Sequence, residues 1–251
     1  MSKHFNIADL YELVADKVPA RSALVCGDQR ASFAELDQRA NRLAHYLQAQ
    51  GVTSGDHVGL YLYNCNEYLE GMLACFKIRA VPINVNYRYV QEELLYIFDN
   101  ADMVACIHNQ EFVPHIAEVR ASAPDLKTFV GVIDESGYEL SSIGSVDYES
   151  ALEGQSDERD FGERADDDLF ILYTGGTTGV PKGALHSHRS AHTFMMNQTA
   201  AERIAPTDVY MLTGQMFHIP VVISMNYLAF ARPVVLITFE PGKALELIEQ
   251  E

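Results

Sequence analysis

Residues 169–183 read LFILYTGGTTGVPKG, and the rest of the chain takes its meaning from them. Leu169 to Tyr173 is a short apolar run ending in an aromatic, the pattern of a buried strand. A loop of only Gly and Thr, from Thr174 to Gly179, follows, and Pro181, Lys182 and Gly183 close it. Glycines let a backbone turn sharply and bring several N–H groups onto one cluster of oxygens. The hydroxyls of Thr174, Thr177 and Thr178 add rotatable donors. Lys182 adds a point charge on a flexible stem. Together these groups make a phosphate cradle. It is neither of two common phosphate loops. A Walker loop needs Ser or Thr after the lysine, where this chain has Gly183, and the spacing G-x-G-x-x-G is absent because Gly175 and Gly176 are adjacent.

The run YTGGTTGVPKG resembles the signature of the adenylate-forming superfamily of acyl-CoA synthetases, peptide-synthetase adenylation domains and luciferases, usually YTSGTTGxPKG. Gly175 stands where most members carry Ser, which removes one hydroxyl donor and keeps the backbone donors. The resemblance implies that Thr174, Gly175, Gly176, Thr177, Thr178, Gly179 and Lys182 hold the phosphates of ATP, and that Lys182 stabilises charge during catalysis. It further implies magnesium, whose ligands are not expected in this chain, and coenzyme A as co-substrate.

Composition sets limits. The chain has 251 residues, of which 48% are hydrophobic and 21% charged, enough to bury a substantial core. A formal net charge of −17 argues against a nucleic-acid binder or a polybasic membrane anchor. Cys26, Cys65, Cys75 and Cys106 show no metal-finger spacing, and the N-terminus has no signal-peptide pattern, so a cytoplasmic protein with reduced thiols is expected. The apolar region 219–237 holds two prolines, Asn226 and Arg232, which fits a buried helix followed by a strand better than a membrane span.

Periodicity predicts a helix over 7–18, a strand over 23–26 and a helix from Ser32, whose capping box with Glu35 precedes an apolar face of Phe33, Leu36, Ala40, Leu43, Ala44 and Leu47. Strands are expected at 58–63, 81–85, 103–107 and 128–133, with helices at 67–78, 92–98 and 112–120 between them. Such alternation belongs to a parallel, doubly wound α/β sheet. The resemblance implies more: two parallel-rich sheets flanked by helices, forming the first part of a large N-terminal AMP-binding domain. The block KIRAVPINVNYRY (77–89) resembles a second family block in which Arg79 takes a usual glycine position. Tyr87 and Arg88 read as a solvated helix start, with a ligand-contacting pair as the alternative. His45, His57, His108 and His115 show no ligand spacing and read as structural or surface residues.

Residues 154–168 are polar and acidic and read as a linker between strand–helix alternation at 1–153 and a phosphate-loop subdomain at 169–251. Asp166, Asp167 and Asp168 are adjacent and cannot all point one way on an extended segment, so a metal site there is not expected. A helix is expected over 188–203 and strands over 209–213 and 233–239. GQMFHIP (214–220) partly matches a family element that lines the acyl pocket, with Gln215 in place of a proline. Phe217 and His218 are therefore candidate substrate residues, and His218 reads equally well as a buried, hydrogen-bonded histidine. The last helix, 243–251, has an apolar stripe and no terminator, so the chain is expected to lack a C-terminal half and lid domain. The resemblance implies an ATP-dependent carboxylate–CoA ligase for fatty or sterol-side-chain acids. The alternative is a standalone, non-catalytic nucleotide- or partner-binding protein.

Overall fold

The computed structural model describes residues 6–165, 169–174 and 181–251. The chain opens with α1 (Ile7–Lys17), a hairpin of β1 (Ser22–Cys26) and β2 (Gln29–Ser32), and α2 (Phe33–Ala49). Three strand–helix units follow: β3 (His57–Tyr61) with α3 (Asn66–Lys77), β4 (Val81–Asn84) with α4 (Gln91–Asn100), and β5 (Met103–Asn109) with α5 (Val113–Val119). Next come β6 (Thr128–Val132), β7 (Val146–Asp147) and α6 (Tyr148–Leu152), then a hairpin of β8 (Leu169–Thr174) and β9 (Lys182–Ser187). The chain continues through α7 (His188–Glu202), β10 (Tyr210–Leu212), α8 (Ile219–Ala229), β11 (Val234–Leu236) and α9 (Pro241–Gln250).

Among the described residues the strands form two sheets, in the orders β10-β11-β1-β2 and β7-β6-β5-β3-β4-β8-β9. Every pairing is parallel except the two hairpins, β1–β2 and β8–β9. Alternating strand residues divide the core. Leu24, Leu60, Phe170 and Leu172 bury into one cluster with residues of α1, α2, α3, α7 and α8, the layer between the sheets. Ile83, Phe129 and Tyr173 bury with α4 and α5 on the other face of the larger sheet, and Val25 and Val235 bury with Ala244 of α9.

Local chemistry explains the elements. Ser32 accepts from Glu35 N at 3.2 Å while the Glu35 carboxylate accepts from Ser32 N at 2.7 Å, the capping box expected at the start of α2. α3 lies in the middle layer and is buried almost all round. Gly71 lets it approach the sheet, since a Cβ there would stand 2.9 Å from Leu60 Cδ2. Arg79, at the position where glycine is usual, takes a left-handed backbone with φ 63°.

The irregular segment before β8 is tied down by its arginines. Arg159 reaches Asp37 at 2.8 Å and Asp16 at 2.9 Å, and Arg164 reaches Glu12 at 2.7 Å and Asp9 at 3.3 Å. Asn41 Nδ2 donates to Asp157 O at 2.7 Å, and the His45 ring rests on Phe161. Beneath lies Lys77, 1% exposed, with Nζ 2.7 Å from both Glu12 and Asp37.

Burial sets two titrations against each other. His108 is fully buried. Its Nδ1 donates to Asn109 O at 2.8 Å, so Nε2 accepts from the Ser145 hydroxyl at 2.9 Å. Burial holds its pKa down to about 4. The unfolded chain protonates it near pH 6.5, so this stability is complete above that value and is lost, by roughly 3 kcal/mol, as pH falls toward 4. Glu70 works the other way. Burial pushes its carboxyl up to about 7, against the pull of Arg39 at 2.8 Å and a hydrogen bond from the Tyr148 hydroxyl at 2.7 Å. Its contribution is complete at low pH and is lost as pH rises through 7. Urea unfolding between pH 4.5 and 7 should therefore show His108→Gln removing part of the decline toward acid and Glu70→Gln steepening that decline. Slopes that change in the same direction would contradict this assignment.

Candidate functional site

β3, β4 and β8 run parallel side by side, so their carboxyl ends share one edge of the larger sheet. From β3 the chain passes to β4 on one side and then crosses back to β5 on the other. A change of direction of this kind opens a crevice at the carboxyl ends of the strands, where open α/β sheets bind ligands.

Thr174 and Lys182, the described residues that flank the Gly/Thr sequence, stand on that edge. β8 pairs antiparallel with β9, with Thr174 opposite Lys182 and Tyr173 opposite Gly183. The Thr174 hydroxyl donates to Lys182 O at 3.3 Å, and both residues are exposed. A Cβ at position 183 would stand 3.0 Å from Ile171 Cγ2 and 3.2 Å from Tyr173 Cζ, so glycine lets β9 cross β8 closely. Lys182 and Gly183 therefore begin a strand, where the sequence read them as the close of the loop. Candidate residues Gly175, Gly176, Thr177, Thr178 and Gly179 lie outside the described residues, as do Asp166, Asp167 and Asp168. Thr174 and Lys182 place a rotatable hydroxyl and an ammonium at the base of one hairpin, a donor pair suited to an anion.

The second cluster forms where the two sheets meet. Asn64, just beyond β3, donates through Nδ2 to Gly214 O at 2.7 Å and to Ile237 O at 3.0 Å, and its Oδ1 accepts from Met216 N at 3.0 Å. It thereby fastens the turn after β10 and the end of β11 to the carboxyl edge of the larger sheet. Phe217 is buried in that turn, and His218 is exposed at the N-cap of α8. The exposure of His218 removes its reading as a buried histidine. Partial desolvation of the imidazole, and then the nearby charge of Arg88, hold its pKa below the usual histidine value, so it is neutral near pH 7.

Tyr87 and Arg88 differ from expectation. They precede α4 by several residues and pack toward the turn: the Tyr87 ring meets Phe217 edge-on at 5.2 Å and Tyr63 at 4.7 Å, with Arg88 5.7 Å from the Tyr87 centroid. The dense aromatics of NYRYV were the available signal. Asn64 and Gln215 were missed because a single turn asparagine or glutamine carries no pattern.

Among the described residues, no group of three or more His, Cys, Asp or Glu is gathered as a metal ion would need, so the magnesium implied by the resemblance has no such ligand set there. No helix among them is long and apolar enough to cross a membrane.

The described residues thus form a mostly parallel α/β fold with the end of β8 and an aromatic–histidine turn beside the switch point. The chain belongs to the AMP-binding enzyme family, whose model matches residues 11–251. It is 54% identical over 183 residues to a 3-oxocholest-4-en-26-oate–CoA ligase of Rhodococcus rhodochrous, covering 73% of this chain and 33% of that protein. It is 46% identical over 203 residues to a medium/long-chain-fatty-acid–CoA/3-oxocholest-4-en-26-oate–CoA ligase of Mycobacterium marinum, covering 79% and 37%. Among solved structures it superposes on a Mycobacterium tuberculosis fatty acyl CoA synthetase with TM-score 0.80 at 25% identity, covering 97% of this chain and 47% of that one. The chain spans about a third of the length of the curated relatives it matches.

Proposed function

We propose that the protein carrying this chain is an ATP-dependent carboxylate–CoA ligase acting on fatty or sterol-side-chain acids, and that residues 1–251 form the first part of its large AMP-binding domain. Within that part, 1–153 carries the strand–helix alternation, 154–168 connects, and 169–251 carries the phosphate loop and the substrate turn. The observation that carries the reading is the placement of Thr174 and Lys182 on the same sheet edge as the Phe217–His218 turn. The relatives named as CoA ligases for fatty acids and 3-oxocholest-4-en-26-oate support the substrate class.

In the proposed first step a carboxylate oxygen bonds to the α-phosphorus of ATP and the bond to pyrophosphate breaks. In the second, the CoA thiolate attacks the acyl carbonyl and AMP leaves. The first step brings an anion to a polyanion. Lys182, Thr174 and the donors of Gly175 to Gly179 would offset that charge. Phe217 would line the acyl site, and neutral His218 would offer the substrate a hydrogen-bonding ring. Magnesium, when bound, would supply further charge neutralisation at the phosphates.

The test is a panel of carboxylates presented, with ATP and CoA, to the sequence continued to the length of its relatives. Pyrophosphate and AMP should appear only with an accepted acid, together with the acyl-CoA. Release of ADP and phosphate, or nucleotide binding without turnover, would overturn the reading.

A further inference from the structure

The loop after β4 and the turn after β10 meet through a side-chain hydrogen bond: the Tyr87 hydroxyl donates to Gln215 Oε1. On the turn side, Asn64 grips the backbone on both flanks of Gln215, at Gly214 O and Met216 N. On the loop side, the Tyr87 ring lies between Tyr63 and Phe217, and Arg88 stands over it. The charge of Arg88 reaches His218. Tyr87 therefore touches Phe217 directly and reaches His218 through Gln215, whose backbone carbonyl accepts from His218 N at 3.1 Å.

We propose that Tyr87 and Gln215 form a latch that positions Phe217 and His218 for the carboxylate substrate. It rests on the ligase reading above. The two act through Phe217 and His218 and are positioning residues. The chemistry around them suits an acid with a large apolar body. The rings of Tyr63, Tyr87 and Phe217 offer apolar faces, and Arg88, exposed and backed by the Tyr87 ring, offers a cation for the acid group. Losing the Tyr87 hydroxyl alone keeps the ring and its contact with Phe217, so Tyr87→Phe probes the hydrogen bond apart from the packing.

The experiment compares wild type, Tyr87→Phe, Gln215→Leu and the double variant in the sequence continued to the relatives' length. KM is measured for a long-chain fatty acid and for ATP, and the His218 imidazole signals are followed by NMR. Each single variant should raise the carboxylate KM by about three- to tenfold, the scale of one hydrogen bond, and leave the ATP KM unchanged. The double variant should be no worse than either single one, because both remove the same bond. The His218 imidazole signals should shift in each single variant, because the turn that carries the ring is no longer tied to Tyr87. In an active wild type, unchanged carboxylate KM, KM values that rise together for acid and ATP, or additive single effects would each overturn the latch alone. A wild type with no carboxylate-dependent pyrophosphate release would overturn the ligase reading and the latch with it. Unmoved His218 signals would overturn the latch by its geometry, whatever the activity.

Discussion

Asp37→Ala should destabilise the chain by about 3–5 kcal/mol, whereas Asp16→Ala should cost under about 1 kcal/mol, although both carboxylates bind Arg159. The difference is burial. Asp16 sits at the outer end, its side chain 60% exposed, where water replaces it readily. Asp37 has a side chain 9% exposed and holds Arg159 at 2.8 Å, Lys77 at 2.7 Å and Asn41 Nδ2 at 3.3 Å. Its removal leaves Lys77 buried against the Glu12 carboxylate, which Arg164 also binds. A buried ammonium that loses half its counter-charge is far costlier than a solvated ion pair that opens. The same carboxylate fastens α2 to the segment before β8, so Asp37→Ala should also speed protease cleavage within residues 154–165. Urea unfolding of the two variants gives the comparison. Equal costs would mean that Lys77 finds other solvation and that the cluster is not cooperative.

That cluster also marks where sequence reading stops. The capping box at Ser32 and Glu35, the strand–helix alternation from β3 to β6 and the strand into the Gly/Thr loop were all legible, because each is written in neighbouring residues. The segment 154–168 was read from its polarity, and polarity does not say which charges will meet. Arg159 and Arg164 find partners more than a hundred residues away. β2 and β9 were not foreseen. QRAS and KGALHS lack the apolar alternation of a half-buried strand, and each forms as the antiparallel partner of a stronger strand. Nothing local marks the parallel pairing of β1 with β11, or the way Asn64 joins the ends of both sheets. At the candidate site, the Gly/Thr sequence was read as a phosphate motif, and Phe217 and His218 as substrate residues by resemblance. The bond between Tyr87 and Gln215 was not legible, because it joins side chains 128 positions apart.

Lys182→Ala carries the largest expected functional effect. On the ligase reading it should slow acyl-adenylate formation by about 10²–10³-fold, the usual loss when one preorganised electrostatic contact is removed. Thioester formation from supplied acyl adenylate should change far less. The asymmetry follows from where charge moves. In the first step negative charge accumulates on the departing pyrophosphate, and an ammonium at the base of the loop stabilises that state more than the bound ground state. In the second step pyrophosphate is gone, and the charge shifts between thiolate, carbonyl and AMP. Lys182 opens β9 on the exposed edge, with Thr174 opposite it, so alanine there should leave folding stability within about 0.5 kcal/mol of wild type. A lost rate then reports chemistry and not unfolding. The ATP KM separates two ways of losing it. A fall in kcat with KM unchanged places the contact in the transition state, while a raised KM alone would make Lys182 a ground-state tether. Lys182→Arg keeps the charge but presents a planar fork in place of a point, so it should recover part of the adenylation rate. Equal slowing of both half-reactions would remove Lys182 from this role and leave the Gly/Thr loop to stabilise the leaving group through its backbone donors.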